Sequence, residues 1–190
     1  MNRLERDVRP ILTPLVKGDT TQLNASQIAA LTKWLTLKVL VLEHANPDAS
    51  LTPESDRSAF FQQREIPEYF RFYCAHNIGR EQMFLMRHSH TIALSRDGPD
   101  PPLNGASRNV QVVTFVAGKA VFQVVSSRLN AFSLEDRAMV TGFHDRCCIW
   151  PDPPGTFHFP NRPRLNDQSI HFISNFLERF ISASRTYWVD

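Results

Sequence analysis

The 190-residue chain carries 21 Lys and Arg against 19 Asp and Glu, a formal net charge of +2, and 42% hydrophobic residues that include 14 Phe, 3 Trp and 3 Tyr. So much aromatic surface excludes a solvated, disordered chain, and so small a charge excludes a protein that captures polyanions by net electrostatics alone. Three Cys, two of them adjacent, exclude a disulfide framework, and seven Gly leave little material for a nucleotide cradle.

Leu4, Val8, Ile11, Leu12 and Leu15 follow helical spacing, with Pro10 and Pro14 expected to kink or divide that helix before Gly18 and Asp19 end it. A longer helix follows, capped by Asn24 or Ser26 and running from Ile28 through Leu31, Trp34, Leu35 and Val39 to Leu42, with Asn46 and Pro47 beyond it. Its second half is apolar nearly all round, which predicts burial on several sides, packed between the first helix and a sheet. A third helix is predicted from Thr52, with Pro53 in its first position, to about Gln63, docked by Phe60 and Phe61.

From Tyr69 the period changes to two. Strands are predicted over Tyr69–Ala75, Gln82–Ser95, Arg108–Ala117 and Ala120–Ser127, with Gly118 and Lys119 as a two-residue hairpin turn, and a fifth short strand over Cys147–Trp150. The loop Asp97–Ser107 is expected on the surface. Residues 151–164 hold five of the 13 prolines and are expected to cross a surface in extended form. Asn166 then caps a closing helix with an apolar stripe of Ile170, Ile173, Phe176, Leu177, Phe180 and Ile181.

These elements predict a single α+β domain over 1–190. Helices in 1–65 pack on one face of a mainly antiparallel sheet of about five strands in 66–150, and 151–190 supplies the proline-rich loop and a closing C-terminal helix. No window approaches the roughly 18 apolar residues of a membrane span, and the charged start MNRLERDVRP is unlike a signal peptide. A cytoplasmic protein without a membrane partner is therefore expected.

Several constellations invite a chemical reading. His88 and His90 are two apart on a predicted strand and so share a face, which permits a metal. Phe84, Met86, Ile92 and Leu94 share that face, and no carboxylate or thiol lies near in sequence, so packed histidines are the reading preferred. Cys147 and Cys148 would point to opposite sides of a strand, which suits packed thiols better than zinc; His144 and Asp145 beside them suggest a Cys/His pair only by sequence proximity. Glu43 and His44, with Asp48 beyond, read as a helix C-terminus rather than a general base held by a carboxylate. Glu135 and Asp136 read as a solvated charge cluster. No Gly-rich phosphate loop, no Gly-x-Ser-x-Gly and no His-Glu-x-x-His occurs, so neither a cofactor nor a catalytic residue is assigned.

Seventeen of the 21 basic residues are Arg, whose planar fork suits phosphate and carboxylate. Arg162 and Arg164, with Phe157 and Phe159, give the proline-rich stretch the aromatic and Arg character of an interface, and they are the binding residues expected.

Leu4-Glu5-Arg6, then Pro10 to Gly18, then Trp34 with Lys38-Val39-Leu40-Val41-Leu42-Glu43, resemble the body of a family of bacterial and phage HNH-endonuclease-like proteins. Arg64-Glu65-Ile66-Pro67 leading into the strand at Tyr69, and Ile149-Trp150-Pro151 before the closing helix, are similar to that family's C-terminal part. The resemblance covers nearly the whole chain. In the family, a module with paired cysteines, a histidine and a Cys-Asn-Asn-x-Trp-Met segment comes first, whereas this chain begins at Met1, about where that segment ends. The resemblance therefore implies a retained non-catalytic part, a phage or mobile-element setting, and no family active-site residue to carry over. The expectation it supports is a binding protein that engages, and can inhibit, a nuclease or defence complex, as an anti-CRISPR protein does. The alternative is a nucleic-acid-binding module or accessory domain of an HNH-type endonuclease, in which Arg162, Arg164, Phe157 and Phe159 contact backbone and bases.

Overall fold

The computed structural model describes residues 3–91, 108–128, 143–151, 157–161 and 163–179. The loop Asp97–Ser107, the pair Glu135 and Asp136, Arg162, the predicted strand end beyond Thr91 and the stripe residues Phe180 and Ile181 lie outside them.

Helix α1 (Arg3–Lys17) runs through Pro10 and Pro14 without the division that was one of the two outcomes expected. Val8, Ile11 and Leu15 are buried while Pro10 is exposed and Pro14 half-buried. The backbone bonds that the prolines delete therefore lie toward water, which can take the place of the missing donors. Gly18, at φ +85°, ends the helix, and the amides of Gly18 and Asp19 both return to the Pro14 carbonyl at 3.0 and 2.9 Å.

After the short strand β1 (Thr21–Leu23) comes α2 (Ala25–Ala45). Asn24 caps it reciprocally with Gln27: each side chain accepts from the other's amide at 2.9 Å. Leu31, Leu35 and Val39 join α1 and the sheet in one core cluster, while Leu37 and Leu40 pack with Phe60 in another. Burial on several sides explains most of the all-round apolar pattern, although Val41 is exposed. Thr32 and Thr36, buried on the same helix, donate to the carbonyls of Ile28 and Thr32 at 3.0 and 2.9 Å, so neither hydroxyl is wasted. By length and composition α2 could cross a membrane, contrary to the reading that no segment could, but 44% of its most apolar window is buried inside this fold.

A single 3-10 turn (Pro47–Ala49) leads to α3 (Glu54–Gln63), for which Pro53 is the N-cap rather than the first helical residue. Phe60 is fully buried; Phe61, expected to dock beside it, is exposed.

Four long strands follow: β2 (Phe70–Asn77), β3 (Met83–His90), β4 (Val110–Ala117) and β5 (Ala120–Ser127). Gly118 and Lys119 form the predicted turn between Ala117 and its partner Ala120. Gly118 has φ +55°, and a Cβ there would collide with the Val16 carbonyl, so glycine is required twice over. Helix α4 (Phe143–Cys147) takes Cys147 out of the predicted fifth strand, leaving β6 as Cys148–Trp150.

The proline-rich return is not merely a surface crossing. Phe157–Phe159 forms β7, antiparallel to β1, and Arg164–Leu165 forms β8, parallel to the end of β2. The main sheet runs β3-β4-β5-β2-β6, with β8 on β2 as its sixth strand. Helix α5 (Asp167–Ser174) follows, capped by Asn166, whose side chain accepts from the Ser169 amide at 2.8 Å, and residues 176–179 continue helically.

The α+β class and the closing helix agree with expectation, but helices cover both faces of the sheet rather than one. Phe70, Phe72, Phe122 and Val124 face α1 and α2, whereas Tyr73, Val112, Val116, Val121 and Val125 face α5 and the Phe176–Leu177 turn. The strand period of two explains this: residues alternating between the faces are apolar on both, which a sheet open to water on one side does not need. Asp167 ties α5 to the sheet by accepting from the amides of Arg80 and Glu81 at 2.9 and 3.0 Å. Gly79 precedes those amides, and a Cβ there would collide with the Asp167 carboxylate.

Candidate functional site

On the edge strand β3, successive residues face opposite helical layers. Arg87 and Ser89 point toward α2: Arg87 donates to Gln111 Oε1 at 2.6 Å, to the Leu42 carbonyl at 3.2 Å and to the Ala49 carbonyl, and Ser89 donates to the Ala49 carbonyl at 2.9 Å. His88 and His90 point toward the C-terminal layer, and there they meet a carboxylate. His88 Nδ1 lies 2.8 Å and His90 Nε2 2.6 Å from the same oxygen of Glu178. One ionised carboxylate oxygen can accept both bonds only if those two nitrogens carry the protons.

The cluster is half-buried, with side-chain exposures of 18% for His88, 26% for His90 and 43% for Glu178. Burial pushes the Glu178 carboxyl up, but hydrogen bonds from His90 and His88, and their charges, outweigh it and hold the group below its ordinary value. Phe84, two strand positions before Met86, stands edge-on to His171 of α5 at 5.0 Å and walls one side of this face. The histidine pair was legible from spacing; Glu178 was not, because it is 88 residues away from His90 and arrives only through the packing of the closing helix.

Glu43 is no helix-end bystander. Its carboxylate is fully buried and accepts from the amides of Leu51 and Thr52 at 3.2 and 3.3 Å, from the Thr52 hydroxyl at 3.1 Å, from Gln111 Nε2 at 3.1 Å and from Arg57 Nη2 at 3.3 Å. His44 and Asp48 are exposed and belong to no such network. With every direction around it occupied by chain, Glu43 holds α2, α3 and β4 together and offers no access to a substrate.

His144 is also a packed residue. Its Nε2 pairs with Gln123 Oε1 at 3.2 Å, and Tyr73, Phe143 and Phe176 surround the ring at 4.7, 5.1 and 6.0 Å. Cys147 is buried at the end of α4, and Cys148, half-buried, directs its sulfur to the Trp150 carbonyl at 3.4 Å. The two thiols are thus split between a helix and a strand, in keeping with packed cysteines.

The expected binding residues separate. Phe157 and Phe159 are buried in the core beside α1 and α2, a correction to their reading as contact residues. The alternation that buries both flanks of β7 exposes only His158 between them. Arg164 is exposed, next to His76 across the β2–β8 pair. Burial lowers the pKa of His76, and the positive charges of Arg164 and Lys119 lower it further, so these three groups form one basic corner. Lys119 lies against Gly18, beside the exposed Lys17, and Lys17 borders a groove of about 450 Å³ between α1 and α2 that also takes in Arg9, Trp34 and Lys38. A smaller hollow of about 300 Å³ is lined by Asp56, Glu65 and Tyr69. There the Tyr69 hydroxyl donates to Asp56 at 2.6 Å, and burial together with that bond raises its pKa, which makes it a poor proton donor or nucleophile near neutrality.

One surface was missed in the sequence. Strand β3 is an edge strand whose outer side pairs with no described strand, and it presents Met83 at 88% and Leu85 at 53% exposure, with Ile78 close by in sequence at 52%. Comparison of the chain with protein-family models, with curated proteins and with solved structures gives no match.

Proposed function

We propose that the protein is a non-catalytic binding module of phage or mobile-element origin, related to the body of HNH-endonuclease-like proteins, that engages a nuclease or defence complex by protein–protein contact. The observation that carries this reading is the outer edge of β3, which pairs with no described strand. Its basic residues Arg87, His88 and His90 lie toward its end, whereas its first half offers backbone donors and acceptors next to exposed Met83 and Leu85. An extended segment of a partner adding to such an edge gains main-chain hydrogen bonds, and the apolar side chains beside it supply specificity.

A second reading, an accessory nucleic-acid-binding module, is favoured by the basic corner of Arg164, Lys119 and His76, which continues through Lys17 to the groove holding Trp34 and Lys38. Lys38 stacks over Trp34 at 5.3 Å and pairs with Glu5 at 2.7 Å, so the cationic surface beside this aromatic ring rests on Arg9 and Lys17.

Salt separates the two. The chain is to be mixed with the HNH-type nuclease or defence complex encoded in its own genome and followed by size-exclusion chromatography between about 50 and 200 mM salt, beside a DNA-binding titration over the same range. The first reading expects a complex that withstands salt and disappears in Met83→Lys with Leu85→Lys while circular dichroism is unchanged. DNA affinity that falls steeply with salt, and falls further in Arg164→Gln with Lys119→Gln, decides for the second. Neither behaviour would overturn both.

A further inference from the structure

We propose that His88, His90 and Glu178 form a binding site for one divalent transition-metal ion of the zinc type. The donor set is chemically apt: two imidazole nitrogens and a carboxylate oxygen are ligands that zinc and its neighbours in the first transition row accept, and three protein ligands leave a coordination position for water or an anion. The geometry is close to what such an ion requires. The three ligand atoms lie within 4.8 Å of one another. Tetrahedral coordination at about 2.0–2.1 Å would place the donors about 3.3 Å apart. The present separations from Glu178 to His88 and His90 are 2.8 and 2.6 Å. Binding would open them by about 0.5–0.7 Å through side-chain torsions and displace the protons from His88 Nδ1 and His90 Nε2, which the rings can carry on their other nitrogens.

The scaffold supports the site in the way metal sites need. Two ligands stand on consecutive same-face positions of β3, whose register with β4 pairs His88 with Val112 and His90 with Val110. Val110 and Val112 are buried, so the strand beneath the histidines is held by the core. The third ligand is brought by the turn after α5, where Phe176 and Leu177, immediately before Glu178, are buried against the same sheet face. A metal there would cross-link the edge strand to the closing helical layer, two parts of the chain joined at this point by the Glu178 bonds. The opposite face of β3 carries Arg87, whose charge is directed to Gln111 and to backbone carbonyls rather than to this cluster.

This site is independent of the proposed binding function and of the cysteine and histidine module of the resembled family. It is tested on the full chain, stripped with chelator, by calorimetric titration with Zn²⁺ and by absorption spectroscopy with Co²⁺. The expected result is one ion per chain, a rise in melting temperature on zinc addition, and a cobalt spectrum without the thiolate charge-transfer band that cysteine ligation would give. Glu178→Gln, His88→Ala and His90→Ala should each weaken zinc binding by about tenfold or more, whereas His44→Ala, at an exposed helix end, should leave it unchanged. Glu178→Gln preserves shape at a partly exposed position, so it decides the matter even if a histidine variant folds poorly. Absence of stoichiometric zinc binding, binding that survives Glu178→Gln with His90→Ala, or a thiolate band would each overturn the proposal.

Discussion

A carboxyl group with no exposed surface needs the chain to supply the hydrogen bonds that water would otherwise provide. Glu43 meets that condition with backbone amides from Leu51 and Thr52, the Thr52 hydroxyl, Gln111 and the guanidinium of Arg57, itself 19% exposed. Removing the acid strands both the cation and the amides. Glu43→Ala should therefore lower the free energy of unfolding by about 3–5 kcal/mol, and Glu43→Gln, which keeps the shape and one acceptor, by less. Urea denaturation followed by fluorescence measures both. A loss below about 1 kcal/mol for the alanine variant would mean that the network adds nothing beyond an exposed pair. The same residue shows why chemistry read from neighbours in sequence goes astray: Glu43 and His44 adjoin in the chain, but helical geometry turns one into the core and the other to solvent.

At the level of elements, what the sequence carried was local. Asn24, one of the two caps read from the sequence, Gly118-Lys119 between two alternating segments and Asn166 before the last stripe each mark a boundary by local residue type. Elements whose reason is tertiary were not legible. The two-residue strand β8 and the three-residue strands β1 and β7 are too short to show a period, and exist because their partners are adjacent in space. Phe157 and Phe159 looked like interface aromatics for the same reason, since nothing nearby in sequence reveals that β1 lies across from them. The unbroken α1 is the converse case, in which tertiary packing overrides two prolines. The local signals should also be separable in energy. Asn24→Ala removes one half of the reciprocal cap and should cost about 1 kcal/mol, with Asn24→Asp close to neutral. Equal stability of Asn24→Ala and the parent chain in thermal melts would show that α2 is held by burial alone.

Across the whole molecule, the C-terminal layer is fastened to the sheet by ionisable groups, and this gives its stability a direction in pH. Asp167 has its carboxyl held below the ordinary range by the Glu81 and Arg80 amides, and Glu178 is held down by His90 and His88 against the effect of burial. A carboxyl with a depressed folded pKa contributes stability that is complete above its unfolded value, about 4, and is lost as pH falls through the folded value. His76, on β2 beside β8, is lowered by burial and by Arg164 and Lys119, so the fold prefers its neutral ring. Its contribution is present above about pH 6.5 and is lost as pH falls toward the folded value. All three groups therefore act in one sense, and acidification should lower the melting temperature in two stages, one below about pH 6.5 and one below about pH 4. His76→Gln should flatten the first stage; Asp167→Asn should lower stability at pH 7 and flatten the second. Calorimetric scans from pH 7.5 to 3 measure the profile, and a melting temperature that holds constant down to about pH 4 would show that the basic corner leaves His76 without energetic consequence for the fold.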